Sequence, residues 1–117
     1  MSDPLQIQRA PIDDRTVLLR VGGRLDSASA PQLVHRCAAV KTAGGNLVLN
    51  LEGVSFIASS GVGALLAIVE QFRDSGCGIR FVAPSPAVDS VIRLLNLDQF
   101  LPIDANEDEA IAALKAA

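Results

Sequence analysis

The chain has 117 residues, half of them apolar, and a formal charge of −3. That is one domain's length with enough apolar material for a core, and ten scattered basic residues with no run argue against a nucleic-acid interface. No apolar stretch approaches the ~20 residues needed to cross a bilayer, and one histidine with two cysteines makes neither a metal site nor a disulfide framework.

Residues 1–4 show no basic region followed by an apolar stretch, so no signal peptide is expected. Cys37 and Cys77 are then read as reduced thiols of a cytoplasmic protein. Residues 5–9 alternate apolar and polar and predict a half-buried edge strand. Residues 11–14 interrupt it. Residues 16–21 are apolar almost throughout and predict an interior strand, paired with the first as a hairpin. Gly22 to Asp26 is expected to leave the sheet. Ser27 and Ser29 are candidate N-caps, and Pro31 suits a first helical turn. Leu33, Cys37 and Val40 share one face of this helix, which Gly44-Gly45 stops. His35 falls beside or off that face, with no acid at helical spacing, so neither a ligand nor a base role is expected for it.

Residues 46–51 predict a buried third strand, with Gly53 loosening the chain after it. A second helix is expected over 60–74, with Val62, Leu65, Leu66, Val69 and Phe72 as its apolar stripe and Ser75-Gly76 as its end. Residues 79–83 predict a fourth strand. Ser85-Pro86 opens a third helix, which buries Val88, Val91, Ile92 and Leu95 and is capped at its C-terminus by Asn96. Residues 100–103 predict a short fifth strand. Asn106 with Glu109 resembles a capping box, and Glu107, Asp108 and Glu109 suit the positive end of a helix dipole. Ile111 and Leu114 anchor this last helix. Such alternation predicts an α/β fold over residues 1–117 as a single domain. Its mostly parallel central sheet has about five strands, the first antiparallel, and about four flanking helices.

The stretch 54–66 is the centre of this arrangement. It joins a buried strand to a helix through Ser59-Ser60-Gly61-Val62-Gly63. Two hydroxyls and several open backbone N–H groups therefore stand at a helix start, a place that suits a phosphate or a recognised loop. Either hydroxyl could simply cap the helix. Ser60, closer to the helix, is the one expected to do so, leaving Ser59 free. Gly61 and Gly63 allow close backbone approach. The phosphate-binding pattern ending in Gly-Lys-Ser/Thr is absent, and so is Gly-x-Ser-x-Gly. A non-enzymatic interaction module is expected, with no catalytic residue, metal or cofactor. Asp26 would lie beside the serine loop, because both turns leave the same end of parallel strands.

Two signatures resemble the STAS domains, whose free-standing bacterial members include the anti-sigma factor antagonists. One is the turn Gly23-Arg24-Leu25-Asp26. The other runs from Leu49-Asn50-Leu51 to Ser59-Ser60-Gly61, where the family reads as an apolar strand, a short turn, then Asp-Ser-Ser-Gly. The resemblance covers nearly the whole chain and implies the STAS fold. It also implies a partner that is both anti-sigma factor and serine kinase, of the histidine-kinase-like ATPase type. The family's phosphorylated serine falls on Ser59, and the implied partner surface comprises Asp26, Ala58, Ser59, Ser60 and Gly61. The family's acid before the serine is Ala58 here, which removes a charge and an acceptor beside the hydroxyl. The alternative implied by the same family is a cytosolic accessory subunit of a membrane transporter, such as a lipid-transport ATP-binding cassette complex, with a transporter ATPase as partner. Neither reading involves nucleic acid contact or membrane insertion.

Overall fold

A computed structural model describes residues 4–116. Its elements in chain order are β1 (Gln6–Pro11), β2 (Thr16–Leu25), α1 (Ala30–Thr42), β3 (Asn46–Ile57), α2 (Ser59–Ser75), β4 (Ile79–Val82), α3 (Pro86–Leu94), a single 3-10 turn (Leu97–Gln99), β5 (Ile103–Asp104) and α4 (Glu107–Ala116). The strands form one sheet in the order β1-β2-β3-β4-β5. β1 runs antiparallel to β2, and every other pair is parallel.

Alternation along the central strands divides the interior in two. Leu47, Leu49 and Leu51 of β3 join Leu19, Val21 and Leu25 of β2 beneath Leu33 and Cys37 of α1, Leu65, Ile68 and Phe72 of α2, and Val88 and Ile92 of α3. The opposite parity, Leu18, Val48 and Val82, packs under Ala110 and Leu114 of α4. Both faces of β2 and β3 are therefore covered over part of their length, which is why these strands read as continuous apolar runs.

The sheet extends further than the sequence pattern predicts. β2 and β3 do not end at Val21 and Leu51 but stay paired to Leu25 and Ile57, through Gly22↔Gly53, Gly23↔Val54 and Arg24↔Phe56. The glycines are what permit this. A Cβ on Gly53 would stand 3.0 Å from the Gly22 Cα and 3.1 Å from the Val21 oxygen, so only bare backbone fits there. The register slips between Arg20 and Gly22 and again between Gly23 and Arg24.

Other differences are local. Leu66 and Leu95, expected inside, are 37% and 52% exposed. The buried face of α2 runs instead through Gly61, Ala64, Leu65, Ile68, Val69 and Phe72. Phe100 precedes the fifth strand and is 55% exposed, because the chain first makes the 3-10 turn. The ends expected for α3 are present: the Ser85 hydroxyl accepts the Val88 N–H at 3.3 Å, and Asn96 follows the helix in the left-handed region at φ 54°. Asn106 accepts the Glu109 N–H at 2.9 Å, while Glu109 reaches the Ala105 N–H, one residue before the box pattern predicts.

Candidate partner-binding site

The C-terminal ends of β2 and β3 carry two turns side by side. Arg24 pairs with Phe56 and Leu25 with Ile57, and the Ala58 N–H then donates to the Leu25 carbonyl at 2.9 Å. That bond sets the start of α2 beside the turn that enters α1. The expected neighbourhood of Asp26 and the serine loop is thus formed, although Gly22 to Leu25 reach it as strand rather than loop.

Asp26 organises its own turn. Its Oδ1 accepts the N–H groups of Ala28 at 3.0 Å and Ser29 at 3.2 Å. The Ser29 N–H, ahead of any other neighbour, holds the Asp26 carboxyl below the usual aspartate range. Ser29, a predicted N-cap, makes no capping bond to the helix; its hydroxyl donates to the Arg24 carbonyl at 2.7 Å and accepts the Asp26 N–H at 3.0 Å. The carboxylate of Asp26 and the Ser29 hydroxyl together lace the turn shut ahead of the helix, which has no side-chain cap.

α2 begins at Ser59, with Ala58 as its N-cap in extended conformation and no side-chain cap. Ser60 therefore does not cap the helix, contrary to expectation. It lies one position inside, where a side chain points away from the free N–H groups. Ser59 is exposed and Ser60 half-buried, and neither hydroxyl has a partner among the described residues. The first turn of α2 holds no acid. Gly61, counted among the contacting residues on the motif, is buried beneath them. It presents no contact surface and instead lets the helix start settle on Leu25. Ala58 is half-buried, and Phe56 is 38% exposed beside it.

Arg24 lies over the Phe56 ring, its guanidinium carbon 4.1 Å from the centroid, and stands 3.8 Å from Asp26. Within the two turns, from Gly23 to Ser29 and from Val54 to Gly63, Arg24 and Asp26 are the only charged residues. The face is therefore nearly neutral, with an aromatic side, two hydroxyls and open N–H groups. A formal charge added there would dominate its electrostatics.

The sequence profile of the STAS domain matches residues 8–110. The chain belongs to the STAS domain family. The anti-sigma-F factor antagonist RsfA of Mycobacterium tuberculosis is 30% identical over 103 residues, covering 86% of this chain and 80% of RsfA. The crystal structure of an anti-sigma factor antagonist from Mycobacterium paratuberculosis superimposes with a TM-score of 0.84 at 29% identity, covering 98% of this chain and 99% of that one. The Bacillus anti-sigma factor antagonist SpoIIAA, 26% identical, superimposes in its unphosphorylated form with a TM-score of 0.77 over 96% of this chain and 98% of its own. In its phosphorylated form the TM-score is 0.70 over 92% and 98%. This STAS domain groups with the anti-sigma factor antagonists by sequence and by fold.

One cluster escaped the sequence reading. Arg20 grips Glu107 with two bonds, Nε to Oε2 at 3.0 Å and Nη2 to Oε1 at 2.9 Å, and Asn50 Nδ2 donates to the same carboxylate at 2.7 Å. Arg20, first among its neighbours, holds the Glu107 carboxyl below the usual glutamate range. Glu107 was expected only to complement a helix dipole. In the STAS domain it also pins α4 to β2 and β3 at the edge of an open cleft of about 880 Å³ floored by Gly22 and Gly53. The partners lie 57 and 87 residues away in sequence, so no local spacing pattern could have announced them. Among the described residues no group of three or more metal-ligating side chains forms, and no helix is long and apolar enough to cross a membrane.

Proposed function

We propose that this anti-sigma factor antagonist binds its anti-sigma factor through the face made by the Asp26 turn, Phe56, Ala58, Ser59 and Ser60. In this reading the anti-sigma factor is also a serine kinase of the histidine-kinase-like ATPase type, and it modifies Ser59. The observation that supports this best is the position of Ser59: exposed, first in a helix with no acid in its opening turn, its hydroxyl without a hydrogen-bond partner among the described residues.

A phosphoserine there carries about −1.5 to −2 charges near neutral pH. The domain tolerates that charge, because the helix dipole and open N–H groups favour an anion at this end. A partner pressed on the same face meets repulsion and desolvation instead. About 3 kcal/mol of such differential cost changes affinity more than 100-fold. The fold persists while the complex separates. The chain's own role is binding, with no catalytic residue of its own; His35 lies exposed on α1 without a polar partner among the described residues.

The test is incubation with the native partner and ATP, followed by peptide mass mapping and a binding titration. Phosphate on Ser59, loss of binding with it, and a Ser59→Ala variant that binds but is no longer released are expected. Phosphate on Ser60 alone would refute the assignment. No phosphate on either serine, together with Ser59→Asp binding like the unmodified chain, would remove the switch. Capture of a transporter ATPase in place of an anti-sigma factor would assign the domain to the accessory-subunit role.

A further inference from the structure

At the other end of the sheet, away from the serine loop, a second hollow of about 290 Å³ lies between the β1–β2 hairpin and the last turns of α1. Three arginines line it: Arg9 from β1, Arg15 from the hairpin turn and Arg36 from α1. Every other arginine among the described residues holds an oxygen. Arg20 holds Glu107, Arg24 faces Asp26, Arg80 holds Asp104 and Arg93 holds Asp89. Arg73 donates to the Phe100 carbonyl. The three guanidiniums without a partner among the described residues are the three that line one hollow.

Arg9 and Arg15 are exposed and Arg36 half-buried, but the three converge on one hollow from three different elements. Arg9 pairs across the hairpin with Leu19, and Pro11 with Val17. Directly opposed residues share a face, so Arg9 occupies the parity on which Leu5, Leu19 and Val21 enter the core under α1. A single inward charge would serve to guard an edge strand. Here Arg36 answers it from the facing helix and Arg15 from the turn. Val17 and Val40 give the hollow an apolar floor.

The acids nearby cancel this only in part. Asp13 spends its Oδ1 on the N–H groups of Arg15 and Thr16, both at 2.8 Å, closing the turn. Asp14 stands exposed at the rim. Three positive groups thus face two negative ones, one of them already engaged, in a chain whose formal charge is −3.

We infer that this hollow binds a small carboxylate with a short aliphatic body. Guanidinium forks match the planar carboxylate with paired N–H donors. The floor takes the apolar body, and the volume lies near the ~300 Å³ at which small-molecule pockets begin. The site is independent of the serine-loop reading, since it shares no residue with that face.

Sodium hexanoate is titrated into the isotope-labelled full chain, with sodium chloride at equal ionic strength as control. Saturable amide shifts confined to Arg9, Arg15, Val17, Arg36 and Val40 are expected. Arg15→Gln and Arg36→Gln should each weaken binding about tenfold, the loss of one charge-assisted pair. Their amide spectra report in the same experiment that they fold. Inorganic phosphate should bind more weakly than hexanoate, lacking a body for the floor. Shifts that grow linearly and equally with chloride, binding that both variants leave unchanged, or phosphate held as tightly as hexanoate would each overturn the assignment.

Discussion

Gly61 lies so close to Leu25 that a Cβ on it would stand 2.7 Å from the Leu25 carbonyl oxygen and 2.8 Å from its Cγ. The same carbonyl accepts the Ala58 N–H, so one peptide group of β2 seats the whole start of α2. Gly61→Ala gains up to ~1 kcal/mol in helix propensity but must push backbone aside, which costs ~1–3 kcal/mol. Because the nearest atom is a backbone oxygen at 2.7 Å, the cost lies toward the upper end of that range, and a net loss of roughly 1–2 kcal/mol is expected in urea melts. An unchanged midpoint would mean that the helix start moves freely relative to β2.

The N-cap of α2 offers a sharper test of local physics. Ala58 holds the extended N-cap conformation but has no side-chain acceptor. Ala58→Asp, which restores the family's acid, should stabilise the fold by about 1 kcal/mol, whatever the partner does. Ser60→Ala should fall within about ±0.5 kcal/mol, since its hydroxyl caps nothing. Ser59→Asp should be neutral or slightly stabilising, because it adds the only acid of that first turn. Denaturant titration of the three variants separates these outcomes. A Ser60→Ala loss near 1 kcal/mol would return the capping role to Ser60.

The Arg20–Glu107 pair makes an acid-sensitivity prediction. Arg20, helped by Asn50, lowers the folded-state pKa of Glu107 below that of the unfolded chain. Such a group stabilises the fold at pH above its unfolded value, and the benefit disappears as pH falls through the lowered folded value. Because the Arg20 side chain is 53% exposed, the pair is worth no more than ~1 kcal/mol after solvent screening. Glu107→Gln should be slightly less stable than the natural chain at neutral pH and equal to it in strong acid. Urea midpoints measured across that range would show the two curves converging; parallel curves would deny the pair any role.

Much of this was legible in the chain itself. The order of strands and helices follows from apolar alternation switching between periods, and the parallel sheet follows from helical connections of that length. The serine loop was legible because a buried strand, two serines, glycines and a helical stripe succeed one another without a gap. Its neighbour Asp26 followed from topology alone, since successive parallel strands deliver their C-terminal turns to one end.

Only the tertiary structure decided what depends on residues distant in sequence. β2 and β3 stay paired past Leu51 because Gly22 meets Gly53, and neither glycine declares its partner locally. Ser60 loses the capping role because the Ala58 N–H, bonded to Leu25, starts the helix one residue earlier than the serine pattern suggests. Glu107 reads as a helix-end charge until folding brings Arg20 and Asn50 within bonding distance. Arg9, Arg15 and Arg36 read as scattered basic residues until the hairpin folds against α1. Period and turn chemistry act over a few residues, so the sequence carries them openly. Close approach and charge pairing act through space, and they exist only once the sheet has brought its strands together.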